Sequence, residues 1–250
     1  GECRPAPRPM RVLYVGMKHD HGKPELGFAF EHWNFFHTMH RMGMDIAYFD
    51  FAGILARRGR DAMNARLVEV ARSVKPDLMF TVLFTDELDP ASVRAITRET
   101  DTTTFNWFCD DHWRFEDFTR RWAPCFDWSV TTARSALPKY QKLGYANVIK
   151  SQWAANPYLY RRLDLPMKHE VTFVGRPHGT RRQTIAAIRD AGYDVKTWGP
   201  GWDTGWLDQD QMIEVFNTSR INLNLSNASV PISTPIRRLQ KRVKKVLTTV

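Results

Sequence analysis

The chain has 250 residues, 43% of them hydrophobic, with a net charge of +9 and three cysteines. That length and apolar content suffice for one large or two modest domains. No run of about 18 apolar residues is present, and the N-terminus GECRPAPRPM has no apolar core, so neither a membrane span nor a signal peptide is readable and a cytoplasmic location is the expectation.

The charge is uneven. Residues 231–250 carry Arg237, Arg238, Lys241, Arg242, Lys244 and Lys245 without an acid, which is +6 and leaves +3 for the rest of the chain. A general basic surface for nucleic acid is therefore poorly supported, although the tail alone could meet an anionic partner. Cys3, Cys109 and Cys125 show no metal or redox spacing, and their odd, sparse count argues against a disulfide framework.

After a Pro- and Arg-rich lead, Arg11 to Gly16 (RVLYVG) reads as the first strand of an α/β sheet. The loop Met17 to Gly27, with Lys18, His19, Asp20 and His21, would sit beyond its carboxyl end, where open α/β sheets bind ligands; an ordinary polar turn is the alternative. Phe28 to Met42 reads as a helix with Trp33, Phe36 and Met39 at core spacing, closed by Gly43. Of its histidines only His37 and His40 share a face, and with no third ligand or nearby acid no metal site is expected.

Asp45 to Phe49 is a second strand and Met63 to Ser73 part of a helix. Asp77 to Phe84 (DLMFTVLF) is a third, strongly apolar strand, with Asp86 just beyond it. Asp89 and Pro90 have the form of an N-cap and first helical residue, for a helix running to about Glu99. The fourth strand, Thr102 to Cys109, leads directly into Asp110, Asp111, His112, Trp113 and Arg114.

Two acids, an imidazole and a guanidinium at one strand end could hold sugar hydroxyls or act as a general base, with Trp107, Phe108 and Trp113 able to stack on a sugar face. The same residues suit a structural role, with Asp111 capping the next helix and Arg114 neutralising Asp110. Trp128 to Thr132 and Val148 to Gln152 are further strands around a helix at Leu137 to Leu143. Strands alternating with helices imply a parallel sheet. Ala155 to His169, with two prolines and no clear period, reads as a connection between domains.

The stretch EVTFVGRPHGTRRQTIAAIRDAG then reads as strand, loop and helix. Thr180 and Gln183 have capping-box spacing, Ile185 and Ile188 give one apolar face, and Gly192 follows as a C-terminal cap. Unpaired backbone N–H groups at that helix start, flanked by Arg176, Arg181 and Arg182, would stabilise a phosphate or diphosphate; a solvated basic loop is the plainer alternative. The glycine spacings of a dinucleotide fold and of a P-loop are both absent. Strands at Val195 and Ile221 and a helix around Gln211 to Asn217 complete the series.

In this order the chain resembles two-Rossmann-domain (GT-B) glycosyltransferases, and most closely their spore-maturation-protein group. The likeness rests on RMGMDIAYFDF, KPDLMFTVLFTDELD, FNWFCDDHWRF, TTARSALPKYQKLGYANVIKSQWAAN, VTFVGRPHGTRRQTIAAIRDAG, TWGPGW and INLNLSN, and spans Met10 to Ser226. It implies two α/β domains with parallel sheets and flanking helices: residues 1–9 a disordered lead, 10–154 an acceptor-side Rossmann-like domain, 155–169 the connection, and 170–250 a partial donor-side domain. Such proteins continue beyond INLNLSN into a region carrying a glutamate that holds the donor ribose or sugar. Here PIRRLQKRVKKVLTTV follows, so the second domain is expected to be incomplete, with this stretch a helix packed on its sheet edge.

The resemblance implies transfer of a sugar from a nucleoside-diphosphate sugar to an acceptor, with no cofactor required and no metal. Gly175, Arg176, Thr180 and Arg181 fall on the donor phosphate side, Asp110, Asp111 and His112 are the catalytic candidates, and His19, Asp86 and Arg114 lie on the acceptor side. The competing readings are a non-catalytic nucleotide-sugar or polysaccharide-binding module, and an adaptor that meets an anionic partner through the basic tail.

Overall fold

β1 (Arg11–Gly16) forms where predicted, because five consecutive buried residues from Val12 to Gly16 leave no polar face to solvate. It is flanked by β2 (Asp45–Asp50) and β3 (Leu78–Thr81), and β4 (Thr103–Phe108), β5 (Trp128–Thr131) and β6 (Val148–Lys150) follow outward. The order is β2-β1-β3-β4-β5-β6 with every pairing parallel. The computed structural model of the chain describes residues 8–225. Most of the expected lead, Cys3 and the basic stretch from Pro235 to Val250 lie outside these residues. Arg8, placed in the lead by sequence, pairs with Asp77 at 2.6 Å.

Alternation along β1 sends Leu13 and Val15 to one face and Val12 and Tyr14 to the other, and each face has its own core. The first core is covered by α2 (Phe51–Arg58), α3 (Arg60–Val74) and α4 (Pro90–Glu99), whose Phe51, Leu67 and Ile96 are fully buried. The other face is covered by a π-helical turn, His32–Phe36, running into α1 (His37–Arg41). The π turn inserts an extra residue, so Phe35 and Phe36 both reach the sheet, where the sequence pattern assigned Trp33 and Phe36. α2, with Asp50 accepting from the Gly53 N–H at its start, was not expected from sequence.

After β4 come α5 (Asp111–Arg114), a second π turn (Phe115–Thr119) and α6 (Arg120–Trp122); α7 (Leu137–Lys142) precedes β6. The chain divides into two units after Tyr158. The segment read as one connection is shared: Asn156 donates to the Trp33 carbonyl in the first unit, whereas Arg161 and Leu163 are tied to Asn217 in the second.

In the second unit β7 (His169–Val174) lies between β8 (Val195–Trp198) and β9 (Ser219–Asn222), again all parallel. α8 (Arg181–Asp190) buries Ile185 and Ile188 against Val171, Phe173 and Val195. α9 (Gln209–Asn217) precedes β9 and opens with a full capping box between Asp208 and Gln211. No helix among the described residues is long and apolar enough to cross a membrane.

Candidate functional site

In each unit the chain leaves one strand to both sides, from β1 to β2 and β3, and from β7 to β8 and β9, and each reversal opens a crevice at the carboxyl ends of the strands. Both crevices carry polar groups.

In the first unit a cleft of about 430 Å³ is lined by Met17 beyond β1, Val82 to Phe84 beyond β3, and Cys109 and Asp110 beyond β4. It is this apolar continuation of β3, predicted as strand to Phe84, that forms the wall: the ladder ends at Thr81, and the Leu83 N–H is taken by the Asn106 side chain at 3.2 Å. Glu31 enters from the helical segment above. Burial raises its carboxyl above the ordinary value of 4.5, the chain's own backbone N–H at Glu31 opposing the shift. The neighbouring Cys109 thiol is pushed up to about 12, chiefly by burial and then by the Glu31 and Asp110 charges. Phe30, Phe84 and Trp153, exposed by 51, 41 and 44%, are the cleft's aromatic faces, and Phe30 meets Trp153 edge-on at 5.5 Å.

The structure separates residues that the sequence grouped. Asp110 and Arg114 line the cleft, with Arg114 steadied by the Phe84 carbonyl at 2.9 Å and by the Phe118 ring at 4.1 Å. Asp111 is turned into the core, 1% exposed, where its two oxygens accept from Thr119 at 2.5 Å and Tyr140 at 2.9 Å. That geometry gives it a packing role in place of the catalytic one. It does not cap α5 either, since Asp110 occupies that position, without a side-chain bond. His112 is exposed and outside the cleft lining, and Asp86 is engaged by Arg121. His19 belongs to another cavity. Of the three aromatics expected to stack on a sugar, Phe108 is buried, Trp107 packs against Phe35 at 4.9 Å, and Trp113 lies outside the lining.

Glu31 was missed by sequence reasoning. Its one signal is that it is the only acid in the aromatic and histidine run FAFEHWNFFH.

In the second unit Gly175 ends β7 with φ 152°, and its carbonyl accepts from the Trp202 indole at 2.7 Å. Gly199, with φ 128°, ends β8 so close that a Cβ there would lie 2.8 Å from the Gly175 oxygen. Two glycines thus let the strand ends and the loop approach. Thr180 stands at the N-cap of α8 with φ −87° and ψ 5° and makes no side-chain cap bond, so the predicted capping box with Gln183 is absent. An N-cap side chain typically bonds from an extended backbone, which Asp208 has with ψ 176° and Thr180 does not.

Arg181 donates to the carbonyls of Arg176 at 2.9 Å and Leu225 at 2.8 and 3.1 Å. Three of its five N–H groups are therefore engaged in closing the loop, a different duty from the free phosphate ligand expected. Arg182 lies over Trp202 at 4.8 Å and bonds the Gly201 carbonyl. Arg176 is exposed, and its guanidinium makes no hydrogen bond or ion pair among the described residues.

Residues 176–241 match a protein family described as glycosyl transferase-like, and the match begins on this loop. No curated protein matches the chain. Among solved structures it is similar to the apo form of the lipopolysaccharide outer core galactosyltransferase WaaB, at 11% identity over 94% of this chain and 72% of that one, with a TM-score of 0.44. It is similar also to Glycyrrhiza uralensis UGT73P12 complexed with glycyrrhetinic acid 3-O-monoglucuronide, at 10% identity over 88% and 70%, with a TM-score of 0.41. The glycosyltransferase SnogD from Streptomyces nogalater matches at 12% identity over 87% and 72%, with a TM-score of 0.34.

Proposed function

We propose that the protein is a GT-B glycosyltransferase that moves a sugar from a nucleoside-diphosphate donor to an acceptor hydroxyl. The observation that carries this reading is the Gly175 to Thr180 loop, which lies at the reversal point of the second sheet and opens the segment matching the glycosyl transferase-like family. The motif phrases quoted above support kinship with the spore-maturation-protein group, and a cytoplasmic location goes with that reading.

The donor diphosphate lies against the loop and the first turn of α8, where Arg176 and free backbone N–H groups meet its charge without a cofactor. The acceptor occupies the Glu31 and Asp110 cleft, with Trp153 and Phe30 under its apolar face. The acceptor oxygen bonds to the anomeric carbon as the bond to the diphosphate breaks. The hydroxyl proton passes to a carboxylate, and the diphosphate leaves with the electron pair. Glu31 suits the base role because burial raises its carboxyl above the ordinary value and so makes its carboxylate the stronger proton acceptor. Asp110, exposed at the rim, holds a second acceptor hydroxyl.

Two variants test the assignment. Arg176→Ala should weaken nucleoside-diphosphate binding by roughly 1.5–3 kcal/mol, the scale of a charge-assisted hydrogen bond, with the fold intact. Unchanged affinity in calorimetry would remove the loop as donor site.

Glu31→Gln should lower kcat by about 100-fold or more and abolish the acid limb of the pH–rate profile, which in the native protein lies above 4.5. The stability sign is opposite. A carboxyl whose pKa is raised by folding contributes most below the unfolded value and loses that contribution as pH rises through the folded value, so Glu31→Gln should melt higher than the native protein at neutral pH. A variant with native turnover would assign the proton transfer elsewhere.

A further inference from the structure

A second cavity in the first unit, of about 720 Å³, lies at the carboxyl ends of β1 and β2 and shares no lining residue with the Glu31 cleft. Its volume is that of a site for a small organic ligand. One wall is made of rings: His32 stacks on Phe36 at 5.0 Å, and Tyr48 meets Phe36 edge-on at 4.8 Å. The charge balance of the lining is cationic. Lys18 and Arg57 both line the cavity, and neither forms an ion pair among the described residues. The one acid in the lining, Asp50, whose Oδ1 accepts from the backbone N–H groups of Lys18 and Gly53 at 3.3 and 3.2 Å, offsets one of the two cations, which leaves one positive charge in excess.

The walls are held before any ligand arrives. Ala29 N–H bonds the Lys18 carbonyl at 3.0 Å, the Tyr48 hydroxyl bonds the Met17 carbonyl at 3.0 Å, and His19 stacks on Phe28 at 5.4 Å. One polar atom in this frame has no partner: the Nδ1 of His32 is buried and unbonded. Burial and the Lys18 charge lower the His32 pKa to about 4, so the ring is neutral and adds no third cation. That Nδ1 atom is closed off from solvent, so what the cavity offers a guest is the two unpaired cations beside the ring wall.

We propose that this cavity binds an aryl phosphate or a closely similar phosphomonoester on a planar ring, with the phosphate held by Lys18 and Arg57 and the ring against His32, Phe36 and Tyr48. A phosphate can draw on both cations where a single carboxylate needs one, and the Arg57 fork suits phosphate oxygens. The inference goes beyond glycosyl transfer and does not rest on it, because it concerns equilibrium binding by residues of the first unit.

Calorimetry on the full chain, without nucleotide sugar, compares phenyl phosphate with inorganic phosphate, benzoate and phenol. Phenyl phosphate should bind the tightest of the four, and Lys18→Met and Arg57→Gln should each weaken it by about tenfold or more, while Lys18→Arg keeps most of the affinity. Photolabelling of the native protein with 4-azidophenyl phosphate gives a readout independent of variant folding, and the label should map to peptides within residues 18–57. Phenyl phosphate binding no tighter than benzoate or inorganic phosphate, affinity indifferent to both charge-removing variants, or label outside residues 18–57 would overturn the proposal. None of these failures would touch donor binding at Arg176.

Discussion

Asp111→Ala is expected to lower the stability of the first unit by roughly 3–5 kcal/mol, enough to leave it partly unfolded at physiological temperature. The carboxylate is buried and accepts from two hydroxyls, Thr119 at 2.5 Å and Tyr140 at 2.9 Å. Alanine would strand both donors in the core and open a void beside Phe115, whose ring meets Tyr140 at 5.0 Å. Burial and the Asp111 charge both push the Tyr140 hydroxyl upward, so it stays protonated and remains a donor throughout the physiological range. Asp111→Asn should cost less, because its amide oxygen can still accept one bond. Urea titration of each variant reads the effect. An unchanged midpoint together with lost turnover would return Asp111 to the catalytic group.

The second large effect is expected at Gly199. Its φ of 128° disfavours any L side chain, and a Cβ would meet backbone, the Gly175 oxygen at 2.8 Å and its carbon at 2.9 Å. Backbone cannot rotate away as a side-chain tip can, so Gly199→Ala should destabilise the second unit by roughly 2–4 kcal/mol. It should also displace the Gly175 carbonyl from the Trp202 indole, now 2.7 Å away, and so weaken diphosphate binding beyond the loss of stability. Gly192 supplies the control. It has φ 93°, but an added Cβ would find nothing within 4 Å, so Gly192→Ala should cost about 1–2 kcal/mol from backbone strain alone and leave binding intact. Equal effects at the two glycines would show that the close approach of β7 and β8 does not matter.

The strands were legible in the sequence wherever one residue run had one duty. β1 is a buried run bounded by Arg11 and Gly16, and α4 begins at Pro90 after an Asp89 cap whose carboxylate accepts from Ser92, so pattern and structure coincide. The reading failed where one signal served two ends. Apolar character from Val82 to Phe84 reads as strand, yet those residues line a cleft. The spacing of Thr180 and Gln183 matches a capping box, yet the bond depends on a backbone angle that spacing does not encode; Asp208 and Gln211 have both.

The candidate site was half legible for a similar reason. Asp110 and Arg114 follow directly from the end of β4. Glu31, by contrast, becomes unusual only when a π turn and the β1–β3 reversal surround it with Met17, Leu83 and Cys109. The lack of a partner at Arg176 among the described residues is likewise a tertiary property, since Arg176, Arg181 and Arg182 look alike in sequence and differ only in which carbonyls lie within reach.

Hydrogen exchange with a panel of nucleoside diphosphates and their sugars, on the native protein and on Arg176→Ala, tests the donor site most directly. At least one member of the panel should slow exchange across residues 175–184, where the loop and the first turn of α8 lie, and Arg176→Ala should abolish that protection at the same ligand concentration. Protection by no member of the panel, or protection confined to other segments and indifferent to Arg176, would contradict glycosyl transfer from a nucleotide sugar.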